Sequence, residues 1–128
     1  MVKIKEKEKD IQKAISDYLT LKNIIHWRVN SGAAFHNDLN KKSGKRYIRF
    51  IYWLYPSSTK IKGYNFLDLA GIINGGLYFT IEVKRTGELP SVEQYNTIDL
   101  IKFRGAIAFW ADSVDMMLEK FKQFGIFL

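Results

Sequence analysis

Two carboxylates and one amine carry the chemistry this sequence could do. Glu82 and Lys84 stand two apart in Gly76–Gln94, GLYFTIEVKRTGELPSVEQ, at the far end of a run suited to a buried strand. Side chains at i and i+2 of a strand share a face, so Thr80, Glu82 and Lys84 point one way, and Phe79, Ile81 and Val83 the other. Asp68 interrupts a second apolar run, FLDLAGII, on the face of Phe66 and Ala70. The Asn74–Gly76 stretch between the two runs is a strong hairpin signal. The runs are therefore expected to be antiparallel neighbours with Asp68 and Glu82 close together on one face. Two anions so placed repel unless a cation sits between them or one takes a proton. The chain has no cysteine, and a site with oxygen ligands only suits a hard dication such as Mg2+, which keeps several waters and adds substrate phosphate. Lys84 beside such a site could orient an attacking water or offset charge developing on phosphate oxygens. The plainer alternative is a solvated Glu-x-Lys face, with Asp68 turned to water from an edge strand.

Two helical positions aim at the same place. Glu8 lies one turn before Ile11 and Gln12 and extends an apolar stripe of Ile11, Ala14, Ile15, Tyr18 and Leu19, the i, i+3, i+4, i+7, i+8 pattern of an amphipathic helix. Gln94 opens the stripe of Ile98 and Ile101 and stands three residues after Ser91, the signature of a capping box. For Glu8 the competing reading is a solvated charge run, KIKEKEKD, and for Gln94 it is the cap alone.

The elements that must position these groups follow in order. IIHWRVN alternates, predicting a strand with Ile25, Trp27 and Val29 inward and His26, Arg28 and Asn30 on a polar outer face. SGAAFHNDLNKKSGK, rich in turn formers and lysine, is expected to be a loop. RYIRFIYWLYP is a strand apolar on both faces and ended by Pro56; such a strand must be covered twice. After the hairpin and the Ser91-capped helix, AIAFWA is a short strand. A last helix capped by Asp112 or Ser113 carries Val114, Met117, Leu118, Phe121 and Phe124 on one stripe. The order α-β-loop-β-β-β-α-β-α describes a mixed α/β domain.

At 128 residues, 47% of them hydrophobic, the chain fits one domain, residues 1–128, around one core. No apolar run is long enough to span a bilayer, and the charged start MVKIKEKEKDIQ is unlike a signal peptide, so a cytoplasmic protein is expected. A formal charge of +7 suits a polyanionic partner, because each neutralised phosphate releases condensed counterions, although a lysine-rich solvated surface gives the same number.

Asp68 followed by EVK at Glu82–Lys84 resembles the PD-(D/E)XK nucleases, and the wider pattern resembles their virus-type replication-repair (VRR-NUC) branch. The matching blocks are EKDIQKAISDYL, WRVNSG, GYNFLDLAG, IEVKRTGELPSVEQ and GAIAFWADSVDMM, in family order over nearly the whole chain. GYNFLD departs from the usual G-x-P-D, and the insert from His36 to Tyr64 is long. The resemblance implies a restriction-endonuclease-like mixed sheet flanked by helices, with an αβββαβ core. It implies Mg2+, with Mn2+ as substitute, held by Asp68, Glu82 and the Val83 carbonyl. Lys84 would assist the attacking water, with Glu8 and Gln94 at the rim, and the products would carry 5′-phosphate and 3′-hydroxyl ends. By analogy the substrate is branched DNA, a Holliday junction or flap, and the enzyme a homodimer serving repair or recombination, with YIRFIYWLY and the terminal FGIFL as candidate interfaces.

DNA contacts are expected from Lys41, Lys42, Lys45, Arg46, Lys60 and Lys62 in basic loops, from Arg28 and Arg85, and from a turn at Asn30, Ser31 and Gly32. Nothing resembles a base-reading helix, so recognition by backbone and shape is expected. The rivals are a non-catalytic nucleic-acid-binding module, a subunit of a larger replication or restriction complex, and a site built on His26 and His36, for which an exposed polar strand position is the simpler account of His26.

Overall fold

The computed structural model of the chain describes residues 6–29, 33–39, 41–52 and 66–128, with the backbone alone for 33–39 and 46–52. The elements are α1 (Glu8–Leu21), β1 (Ile25–Arg28), β2 (Ala33–Leu39), β3 (Arg46–Tyr52), β4 (Leu69–Ile73), β5 (Leu77–Val83), α2 (Val92–Phe103), β6 (Ile107–Ala111) and α3 (Val114–Gln123). This is a mixed α/β fold.

Four strands form one sheet in the order β1-β4-β5-β6, and β2 and β3 form a separate hairpin. β4 and β5 are antiparallel with Leu69 opposite Ile81 and Ile73 opposite Leu77, so the turn is the predicted Asn74–Gly76. Gly75 and Gly76 both have positive φ there, which suits residues without a Cβ. β5 and β6 are parallel, and α2 is the crossover that a parallel pair needs.

The sheet's two faces differ in bulk. On one, Phe79, Ile81, Val83, Leu69, Ile107, Phe109 and Ala111 pack against Ile11, Ile15 and Leu19 of α1 and Met117 and Phe121 of α3. The Phe121 ring makes edge-on contacts with Phe79 and Phe109, at centroid distances of 5.4 and 5.0 Å. On the other, the small side chains of Ala70, Thr80 and Ala108 let α2 approach through Ile98, with Leu67 beside it. α1 ends in a Schellman turn: Asn23 is left-handed (φ 58°), and Asn23 and Ile24 donate their N–H groups to the Thr20 and Leu19 carbonyls. The turn sends the chain straight back along α1 as β1.

Three expectations need correction. The segment expected to be a loop contains β2, whose seven residues pair in register with β3. The strand around Asp68 starts at Leu69, although the Asp68 carbonyl still accepts from Val29 N at 2.8 Å. The faces of β1 depart from the expectation: His26 is half-buried against α1 and Ile25 and Trp27 are 66% and 43% exposed, while Arg28 is exposed as expected. β1 is an edge strand beside the polar flank of α1, so its polar side finds hydrogen-bonding partners there. α2 covers β6 rather than β1, which leaves Ile25 and Trp27 outside its shelter. Asn30, Ser31, Gly32, Lys60 and Lys62 lie outside the described residues, as do the side chains of Arg46 and the rest of β3. In the terminal FGIFL, Phe124, Ile126 and Leu128 pack on the core and Phe127 is exposed.

Candidate active site

β4 stops pairing with β5 at Leu69, and Asp68 continues the contact by its side chain: Oδ2 accepts from Val83 N at 2.9 Å. An extended residue directs its N–H and C=O to the same edge, so the Val83 carbonyl also turns toward Asp68. Lys84 alternates, donating its backbone N–H the other way to Ala111 O. The result is a notch at the end of β5 with the Asp68 carboxyl on one side.

Glu82 fills the notch. It is only 4% exposed, and its carboxyl is within hydrogen-bonding reach of that of Asp68. Gln94 Nε2 donates to Glu82 Oε1 at 2.7 Å, and Lys84 Nζ lies 3.8 Å from the same oxygen. The capping box aims Gln94: Ser91 N donates to Gln94 Oε1 at 2.8 Å, and Gln94 N donates to Ser91 Oγ at 3.2 Å. With its oxygen held by the helix start, the amide has its N–H2 left to point at Glu82. The cap and the site contact are one arrangement, so the two readings of Gln94 are compatible.

The electrostatics follow from this crowding. Burial, and then the Asp68 charge, push the Glu82 carboxyl up to about 8 against the opposing pull of Lys84. Burial also raises Asp68, countered by the Val83 N–H, Glu82, Lys84 and Arg28. Glu8, half-buried at the start of α1, is raised by burial and by Asp68 and lowered by Lys84 and Arg85, which places it at the rim of the same cluster. Arg85 lies two residues past the end of β5, its Nε buried with no hydrogen-bond partner among the described residues.

The residues present fit a hard dication. Asp68, Glu82 and the Val83 carbonyl offer oxygen atoms only, and two carboxyls within reach of each other, Glu82 buried and Asp68 half-buried, favour a bound cation once both are ionised. Among the described residues no three Asp, Glu or His side chains form a ready-made cage. Two carboxyls with one carbonyl is a sparser set, of the kind Mg2+ completes with water and phosphate.

Of the predicted contacts, Asp68, Glu82, Val83, Lys84, Glu8 and Gln94 come together, with Arg28 and Arg85 adjoining. Lys41, Lys42 and Lys45 are exposed in the turn between β2 and β3. Sequence reasoning missed a polar pair beside the cluster. His26 is no exposed strand residue: its Nε2 lies 2.7 Å from Ser16 Oγ and its Nδ1 lies 2.8 Å from Ile24 O. The clue was a serine and a glutamine at i+4 spacing on the helix flank. No protein-family model, no curated protein and no solved structure matches the chain.

Proposed function

We propose that the chain is a Mg2+-dependent nuclease of the restriction-endonuclease-like, VRR-NUC type that hydrolyses DNA phosphodiesters. The observation that carries this reading is the pairing of Asp68 and Glu82 at one notch, with Lys84 3.8 Å from Glu82. Asp68, Glu82 and the Val83 carbonyl would hold Mg2+, or Mn2+ in its place. When bound, the ion supplies Lewis acidity toward a phosphoryl oxygen and acidifies water.

The protein's own groups do the rest. Lys84 offsets charge that grows on the phosphate oxygens. Gln94 fixes the rotamer of Glu82, so its carboxylate needs no rearrangement during reaction. Glu8 at the rim accepts a hydrogen bond from water entering the notch. Branched DNA is the proposed substrate class, and two symmetric nicks in a junction would call for a homodimer.

The test is a panel of labelled junction, flap and linear DNAs incubated with Mg2+, Mn2+ or EDTA, wild type beside Glu82→Ala. Metal-dependent cutting by wild type, with binding but no cutting by the variant, is the expected result. Cutting retained by Glu82→Ala removes the site assignment, and wild type that shifts DNA without cutting it under any condition is a binding module instead.

A further inference from the structure

α1 lays a second polar line beside the candidate site. Glu8, Gln12 and Ser16 stand at i, i+4 and i+8, so they lie along one flank of the helix. That flank faces the edge strand β1, and between them runs a groove of about 340 Å³ lined by Lys9, Gln12, Lys13, Ser16, His26 and Arg28, with Trp27 and Leu69. Among the described residues no carboxylate lines it. One end is the catalytic cluster, where Arg28 acts on the Asp68 carboxyl. The other end is the Ser16–His26 contact.

The groove's far wall is locked. The Ile24 carbonyl can only accept, so His26 Nδ1 carries the proton, and Nε2 accepts from the Ser16 hydroxyl. Both ring nitrogens are thereby engaged within the fold, and the pair closes this end of the groove. The remaining donors are the Lys9 and Lys13 amines, the Gln12 amide and the Arg28 guanidinium. Lys13 shares its charge with Asp17 at 2.6 Å. β1 also contributes backbone: Val29 N points inward to Asp68 O, so alternation turns the Arg28 and His26 N–H groups to the open edge of the sheet. Cations, an amide and strand-edge N–H groups without an acid suit the phosphates of a polynucleotide backbone.

We infer that this groove seats the substrate strand on one side of the cleaved bond. From Glu8 to Ser16 the helix rises roughly 12 Å at 1.5 Å per residue. That length accommodates a short run of phosphates of one strand. The inference rests on the nuclease reading for what lies at the Glu8 end, but the groove's binding can be measured without cutting.

The experiment is binding of a fluorescein-labelled four-way junction and of a labelled single strand in EDTA, over a salt series. The proteins are wild type, Lys9→Ala/Arg28→Ala, Gln12→Glu, and Lys122→Ala on α3 as a control for charge alone. Lys9 and Arg28 are exposed, so the double variant should fold, and its melting temperature checks that. The expected result is at least a tenfold weaker Kd for the double variant, with the slope of log K against log salt shallower by about two. Gln12→Glu, nearly isosteric, should also weaken binding, and Lys122→Ala should not. Wild-type cutting in Mg2+ is run alongside. If wild type cuts but the groove variants bind with its Kd and slope, the groove is overturned and the nuclease reading stands. If wild type loses affinity through the groove variants yet never cuts, the groove stands and the nuclease reading falls. If wild type binds neither DNA, both fall.

Discussion

Gln94 Nε2 donates to Glu82 Oε1 at 2.7 Å while Gln94 Oε1 accepts from Ser91 N, so the start of α2 sets the orientation of a buried strand carboxyl. Gln94→Ala removes both bonds. It should cost about 1 kcal/mol through the lost cap and slow cutting roughly ten- to a hundredfold through misplacement of Glu82. Gln94→Glu keeps an acceptor for Ser91 N but sets a carboxylate against Glu82. Urea unfolding beside single-turnover cleavage separates the two effects: Gln94→Glu should recover stability at low pH without recovering the rate at neutral pH.

Stability without metal should fall as pH rises. Glu82 is raised from 4.5 to about 8 in the folded chain, so between these values the folded state holds a proton that the unfolded state has released. Its stabilising contribution is complete below about 4.5 and is lost as pH climbs through 8; the raised Asp68 adds in the same sense. Melting temperatures in EDTA should therefore decline from pH 5 to pH 8.5, and Glu82→Gln should flatten the decline. Mg2+ should raise the melting temperature more at pH 8.5 than at pH 5. A flat wild-type profile would contradict the buried pairing.

Asp68 has a structural task as well as a charge. Asp68→Asn keeps an oxygen that can accept from Val83 N, whereas Asp68→Ala leaves that N–H unpaired at the notch, at a cost of about 1–3 kcal/mol. Denaturant titration should rank wild type and Asp68→Asn close together and Asp68→Ala clearly lower. Metal-dependent cutting should be absent from both variants.

Gly71 sits where the sheet cannot take a side chain. A Cβ there would lie 2.4 Å from Ile25 O and 2.5 Å from Cζ of Phe79, its cross-strand partner. Gly71→Ala should destabilise by about 3 kcal/mol, at the upper end of overpacking costs, because β1 and the Phe79 ring must both move. Thermal unfolding with an unchanged midpoint would show that β1 yields freely.

The arrangement of the candidate site was legible in the sequence because it rests on local rules. The period of two along TIEVK, the hairpin residues Asn74–Gly76 and the Ser91–Gln94 spacing each fix a direction for a side chain. β2 was not legible: AAFHNDL places His36, Asn37 and Asp38 in succession, so no alternation marks a strand, and pairing to β3 defines it. β1 shows why periodicity is incomplete. Alternation divides Ile25 and Trp27 from His26 and Arg28, but the neighbours decide which residues are covered: the polar flank of α1 shelters His26 through Ser16 and leaves Ile25, Trp27 and Arg28 exposed.

Calorimetric titration with Mn2+ at pH 7, in two buffers of different ionisation enthalpy, tests the shared notch most directly. With Glu82 raised to about 8, its carboxyl is mostly protonated at that pH, so binding should release close to one proton. The expected outcome is a binding heat that depends on the buffer in wild type and is absent from Glu82→Gln and Asp68→Asn. Wild type that takes up no ion, or variants that bind as tightly as wild type, would contradict the account.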